Sequence, residues 1–318
     1  MKINRKIIDF IFFRFLNPFI NCLLNLFNYI IIFRFGAAIG DHIYLSSIVR
    51  QINQKKNKKI ILLTNFPEFY FNNPRIKILI RSKNGSFVSF LLKKCKGNSI
   101  LEFRNNINAK SRNKHFLYYY SNKTHLIKAS SCHFPFSLNY KELKNEFFFS
   151  NDEKKNFRKK FKSLKKFAII QSESKKTFTQ NKEWRYEGMQ KIINKFDNIN
   201  WIQIGVKGEL ELKNCIIMFN LSFRELAYLI NKSLFVVCYE GFINHLASCF
   251  NKKTFLIHTG FLPVEAFKYK KNIIIEKNKK MSCYPCYNLV CKSHRKNLLK
   301  NLDDKFVIKK IRDNLKLN

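Results

Sequence analysis

Residues 233–249, Ser-Leu-Phe-Val-Val-Cys-Tyr-Glu-Gly-Phe-Ile-Asn-His-Leu-Ala-Ser-Cys, change their hydrophobic period halfway along. Leu234 to Cys238 is a continuous apolar run, short enough for a strand buried on both faces. After Glu240-Gly241 the apolar residues Ile243, Leu246, Ala247 and Phe250 recur at helical spacing. Strand, tight turn and helix in succession place polar groups at the carboxyl edge of a parallel sheet, where open α/β folds bind ligands. The turn carries Glu240, and His245 follows within the first helical turns. These residues suit a hydroxylated, phosphorylated ligand; they equally suit a capping Glu and a buried core His.

The same alternation runs through the chain. Strands are expected at Tyr29–Phe35, Lys59–Thr64, Arg75–Ile80 and Ser99–Phe103, with helices over 42–54, 87–94 and 125–132. After a charged stretch at 141–166 it resumes with strands at Phe167–Gln171, Trp201–Gly205, Cys215–Met218, Leu234–Cys238, Thr254–His258 and Asn272–Glu276. Helices separate several of them, one opened by the capping box Ser222/Glu225, and a last helix is expected from Asp303 to about Leu315. Two doubly wound α/β halves follow from this pattern. The domains are read as an apolar, basic leader (1–28), a first Rossmann-like domain (29–150), a connector (151–166) and a second Rossmann-like domain (167–318).

With 60 Lys+Arg against 21 Asp+Glu, the net charge of +39 over 318 residues favours a polyanionic neighbour. Lys, Asn, Ile and Phe are abundant together and the basic residues are scattered, so the charge permits anion binding without specifying it. No RNP, zinc-finger or helix-turn-helix signature accompanies it, and nucleic acid is not the partner expected. The nine cysteines are spread along the chain, as reduced thiols are. Residues 7–33 are apolar but interrupted by Asp9, Arg14, Asn17, Pro18, Asn21, Asn25 and Asn28, which falls short of a spanning helix. Lys2, Arg5, Lys6 and Arg14 beside Phe and Leu suit a segment lying on an anionic membrane surface, or a leader helix packed on the body.

Three further groups carry chemistry. Gly36 and Gly40-Asp41 form a small-residue turn after the first strand, where a carboxylate serves as N-cap or as base for an acceptor hydroxyl. Ser174 to Trp184 is a loop whose two Thr hydroxyls, Thr177 and Thr179, and several ammonium groups can hold a diphosphate, or a solvated basic loop. Cys283-x-x-Cys286-x-x-x-x-Cys291-x-x-His294 has a spacing that allows a Cys₃His zinc site.

Arg34-Phe35-Gly36-Ala37-Ala38-Ile39-Gly40-Asp41, Lys182-Glu183-Trp184 and Glu240-x-x-x-x-His245-Leu246-Ala247, in that order, resemble glycosyltransferase family 9, the heptosyltransferases of lipopolysaccharide core assembly. The Cys283-x-Pro285-Cys286…Cys291 segment resembles that family's C-terminal cysteines too. The resemblance implies a GT-B fold of two domains facing across a cleft. It implies inverting, metal-independent transfer of a hexose or heptose from a nucleotide-sugar such as ADP-heptose to a lipid-linked glycan. It makes Asp41 the general base and Lys182 the lysine on the donor diphosphate. Thr177, Thr179, Glu240, Gly241 and His245 are then donor-binding, and Gly36 and Gly40 form the acceptor-side turn. No cofactor is expected beyond a structural zinc that the cysteines would allow. The expected location is the cytoplasmic face of the inner membrane, peripherally bound. Glu240-Gly241-Phe242 departs from the family's Asp-Thr-Gly, and Ser47 stands where a proline is usual. The alternatives are a basic nucleic-acid-binding protein and a GT-B protein that binds a nucleotide without catalysis.

Overall fold

The computed structural model describes residues 15–34, 39–82, 86, 88, 91–92, 97–103, 124–131, 134–141, 143–174, 179–277, 281–291, 293 and 302–315. The chain divides into two compact units, one of residues 1–116 with 127–149 and one of residues 117–126 with 150–318.

In the first unit, α1 (Asn17–Leu26) leads into β1 (Tyr29–Arg34), α2 (Ile39–Ile43), α3 (Leu45–Lys56), β2 (Lys59–Thr64), β3 (Ile76–Arg81), β4 (Ile100–Glu102) and, from its second residue on, a short α4 (Leu126–Ser131). The strands pair in parallel in the order β3-β2-β1-β4. The chain winds outward from β1 to β3 and then returns to the other side of β1. β1 and β4 therefore flank the point where strand order reverses, the usual ligand position in open α/β sheets. Leu45, Ile48, Val49 and Ile52, spaced as one face of α3, are fully buried. The region read as one helix over 42–54 is two, α2 and α3, broken at Tyr44. The helix expected over 87–94 falls mostly outside the described residues.

The leader contributes to this core. Ile20 and Leu24 of α1 pack beside Phe33, Leu63 and Ile100. Phe19, Leu23 and Leu26, on other sides of α1, are exposed, as is Phe15 just before it. Among the described residues no helix is long and apolar enough to cross a membrane.

The second unit starts with α5 (Asn151–Lys160), capped by Ser150 and Glu153 in a reciprocal box. It continues with β5 (Phe167–Gln171), α6 (Tyr186–Lys195), β6 (Asn200–Gly205), β7 (Ile216–Phe219), α7 (Phe223–Lys232), β8 (Val236–Cys238), α8 (Phe242–Cys249), β9 (Thr254–Ile257), β10 (Asn272–Ile275) and α9 (Asp304–Asn314). Segment 151–166, read as a connector, packs its helix on α7. Glu153 pairs with Arg224, and the rings of Phe157 and Phe161 lie against Tyr228. The Ser222/Glu225 capping box of α7 is formed as the sequence implies.

All six strands of this sheet are parallel, in the order β10-β9-β8-β5-β6-β7. Read from β7, this is the 3-2-1-4-5-6 winding of a dinucleotide-binding sheet, reversing between β5 and β8. Ala168, Ile170, Val237, Phe255 and Ile257 form the sheet side of a core closed by Met189, Ile192, Val307 and Ile311. Trp184, 1% exposed, seals the start of α6 and donates its indole N–H to the Leu302 carbonyl at 2.7 Å. Gly188 lies under that ring, where a Cβ would come within 2.5 Å of it.

Candidate functional site

The first unit sets Asp41 beyond the carboxyl end of β1. Asp41 is the third residue of α2 rather than its cap. Its Oδ1 accepts from the Tyr44 hydroxyl at 2.9 Å, and its Oδ2 lies 3.4 Å from Arg34 Nη2. Arg34, the last residue of β1, also donates to the Phe103 carbonyl just past β4 at 3.1 Å. The ring of Tyr44 packs on Phe103. One guanidinium and one phenol thus tie Asp41 to both strands that flank the reversal. The carboxylate keeps 17% of its side-chain surface exposed, enough to meet a hydroxyl from outside. Gly40 is buried at the start of α2, and Gly36 lies outside the described residues.

The second unit builds its site at the β5/β8 reversal. The loop after β5 is pinned at both ends. Glu183 Oε1 accepts from the backbone N–H of Ser174 at 2.8 Å and from its hydroxyl at 3.1 Å. Thr179 caps the 3-10 turn Gln180–Lys182 through the Asn181 N–H and donates its hydroxyl to the Leu289 carbonyl at 2.6 Å. Asn181 donates to the Asn288 carbonyl at 2.7 Å. Thr179 is therefore a buried cap that fixes the loop carrying Lys182; Thr177 lies outside the described residues.

So held, Lys182 places its ammonium 3.4 Å from Glu240 Oε1 and 5.1 Å from the centre of the Phe261 ring. Glu240 is 4% exposed, and neither of its oxygens accepts a hydrogen bond from the described residues. It is not a capping Glu. Buried polar groups are nearly always hydrogen-bonded, so a buried carboxylate with open lone pairs points to a ligand that donates to it. The Thr259 hydroxyl, in the loop after β9, is likewise buried with no hydrogen-bond partner among the described residues.

Gly241 turns the chain into α8 at φ 142°, ψ −151°, a region open in practice only to glycine. A Cβ there would meet nothing within 4 Å, so the requirement is the backbone's and the space beside it is open. Phe242 lays its ring against Phe223 of α7, with centroids 5.7 Å apart.

His245 is 5% exposed, with Nδ1 2.8 Å from the Tyr269 hydroxyl. His125 stacks edge-on against the same tyrosine. Burial pushes both imidazoles down to about 3; for His245 the neighbouring His125 and Lys182 charges push the same way. His245 is thus a neutral, buried ring on α8. The unfolded chain binds protons on these rings below pH 6.5 and the folded chain does not, so stability is full above that pH and falls as pH drops toward 3. At about pH 5 the loss is roughly 2 kcal/mol per ring. The urea midpoint should fall clearly from about pH 7 to about pH 5; an unchanged midpoint would contradict the buried neutral assignment.

The thiols of Cys283, Cys286 and Cys291 converge, their sulfurs within 4.8 Å of one another. Burial, with the neighbouring thiols, pushes Cys286 up to about 12 and raises Cys283. Three soft ligands at this separation suit Zn²⁺ or iron. His294 lies outside the described residues.

Sequence reading missed three members of these sites. Tyr44 was hidden among the apolar residues of its helix. His258 and Glu276 were read as strand ends, yet the register Ile257↔Ile275 sets the two residues that follow side by side, with His258 Nδ1 2.9 Å from Glu276 Oε2. A polar residue closing each successive apolar strand was the available signal.

No family model and no curated protein matches the sequence. Solved structures do match by fold. The chain is similar to E. coli ADP-heptose LPS heptosyltransferase II over 90% of its length and 98% of that chain, at 12% identity and TM-score 0.63. A family 9 glycosyl transferase from Veillonella parvula DSM 2008 matches over 89% and 98%, at 10% identity and TM-score 0.57. TibC from enterotoxigenic E. coli H10407, an iron-containing dodecameric glycosyltransferase, matches over 90% and 76%, at 11% identity and TM-score 0.62. The fold is that of the family 9 glycosyltransferases and heptosyltransferases, as the three motifs imply.

Proposed function

We propose that this chain is an inverting glycosyltransferase of the GT-B type, moving a sugar from a nucleotide-sugar donor to a lipid-linked glycan. The observation that carries the reading is Lys182, held at the β5/β8 reversal against the buried carboxylate of Glu240, whose oxygens accept no hydrogen bond from the described residues. A cation and hydroxyl-accepting groups at a dinucleotide-type switch point are what a sugar diphosphate needs. Likeness of fold to heptosyltransferases makes ADP-heptose, or a related ADP-sugar, the first donor to try.

In this reading Lys182 meets the donor and Asp41 is the base. The acceptor O–H gives its proton to a free lone pair of Asp41, and the oxygen attacks the anomeric carbon from the face opposite the diphosphate. The C–O bond to phosphate breaks with its electron pair going to the diphosphate, where Lys182 meets the growing charge. Arg34 and Tyr44 hold the Asp41 carboxylate in line. The cation at the leaving group is a side chain, so the reaction is written without a metal ion. The test is transfer from an ADP-sugar of known anomeric configuration, with the product's configuration read by NMR. A product of opposite configuration supports the mechanism, and a retained one contradicts it.

The acceptor class places the protein at a membrane. The exposed Phe15, Phe19, Leu23 and Leu26 beside a strongly basic chain suit an anionic surface on the cytoplasmic side. Removing residues 1–28 would strip Ile20 and Leu24 from the core, so point changes are the cleaner probe. Phe19→Glu with Leu26→Glu should cut binding to phosphatidylglycerol vesicles by about tenfold or more while leaving the fold intact; undiminished co-sedimentation would contradict this placement.

A further inference from the structure

His258 lies one residue past β9, with no exposed surface, and both of its ring nitrogens meet acceptors. Nδ1 is 2.9 Å from Glu276 Oε2, and Nε2 is 2.8 Å from the Leu262 carbonyl oxygen. A carbonyl oxygen only accepts, and so does an ionised carboxylate. With Glu276 ionised, both hydrogen bonds exist together only when both nitrogens carry protons, that is, in the imidazolium form. The ring is walled by Phe267 and by the edge of Tyr284. The ring meets the carboxylates of Glu276 from beyond β10 and of Glu240 from beyond β8, whose Oε2 lies 3.7 Å from Nε2.

Glu240 is therefore flanked by two cations, His258 at one oxygen and Lys182 at the other. They differ in freedom. His258 is locked by two hydrogen bonds inside the core, whereas Lys182 stands at the edge with 18% of its side chain exposed. Were Lys182 the only cation, its departure toward a ligand would strand a buried carboxylate without compensation, which is strongly unfavourable. A fixed second cation removes that obstacle.

We propose that His258 is a positioning residue: a buried, doubly hydrogen-bonded imidazolium that keeps Glu240 compensated and so releases Lys182 to an incoming diphosphate. The proposal rests on the reading of Lys182 as the diphosphate ligand, and His258 itself touches no substrate.

The first arm of the test needs no ligand. In wild-type protein carrying ¹⁵N-histidine, long-range proton–nitrogen spectra taken in the buffer of the binding titration should show both His258 nitrogens protonated. A neutral ring there overturns the proposal.

The second arm titrates inorganic pyrophosphate calorimetrically. His258→Gln should bind it about tenfold more weakly, because Glu240 now retains Lys182. Glu240→Gln should bind at least as tightly as wild type. His258→Gln with Glu240→Gln should match Glu240→Gln to within about threefold, the non-additivity expected of residues acting through one another. A defect that persists in the double variant means the ring only shapes its loop, and overturns the proposal; so does wild-type affinity in His258→Gln. If wild type itself binds no pyrophosphate, the diphosphate reading fails and the release of Lys182 fails with it. That outcome is distinct from failure of the proposal alone, in which wild type binds and the variants break the pattern.

Discussion

Lys182→Ala should lower kcat/KM by about 10²–10³, most of it in kcat, because the charge it meets grows as the diphosphate leaves. The ammonium is placed rather than merely present. Thr179 caps its turn, Asn181 ties that turn to Asn288, and Glu183 fastens the loop's other end at Ser174. Alanine removes the cation without touching these anchors, so folding should survive. Lys182→Arg keeps the charge but has a broader, forked head, and the Phe261 ring and Glu240 leave it little room. It should recover binding better than turnover. Equal activity in Lys182→Ala and wild type would remove this residue from the mechanism.

The second large effect is expected at Asp41. Asp41→Asn keeps an oxygen for the Tyr44 hydroxyl and nearly the same volume, but it cannot take a proton from the acceptor. kcat should fall by about 10²–10⁴ with donor KM little changed. A KM effect alone would mean that Asp41 binds substrate and does not act as the base. Arg34→Met probes the support instead. It removes the guanidinium that links Asp41 to the strand across the reversal, and should lower kcat less than the loss of the carboxylate does.

Much of the fold could be read from hydrophobic period. β2 and β5 run over the residues expected, β1 does so as far as the described residues reach, and β3, β4, β6, β7, β9 and β10 differ by a residue at one or both ends. Strands buried on both faces are continuous apolar runs, and capping residues such as Ser222 and Asp303 mark where helices begin. What the period could not show was which polar residues stand together. Asp41 and Arg34 are near in sequence, but their link to Phe103 depends on β4 returning beside β1. His258 and Glu276 meet through the register of β9 and β10, which no local pattern encodes. Thr179 shows the converse: its loop and residue type suit a phosphate, while its hydroxyl is spent on capping a turn. Phe242, which replaces a glycine in the family-like motif, packs on Phe223, and the backbone freedom of that turn is carried by Gly241.

Whether the β5/β8 reversal binds a nucleotide-sugar through Lys182 is decided by calorimetric titration of wild type and Lys182→Ala with ADP-, GDP- and UDP-sugars. Wild type should show saturable one-to-one binding of one nucleotide class, about tenfold or more weaker in Lys182→Ala. No binding of any of them, together with tight, salt-sensitive binding of RNA or duplex DNA that is indifferent to Lys182, would contradict it.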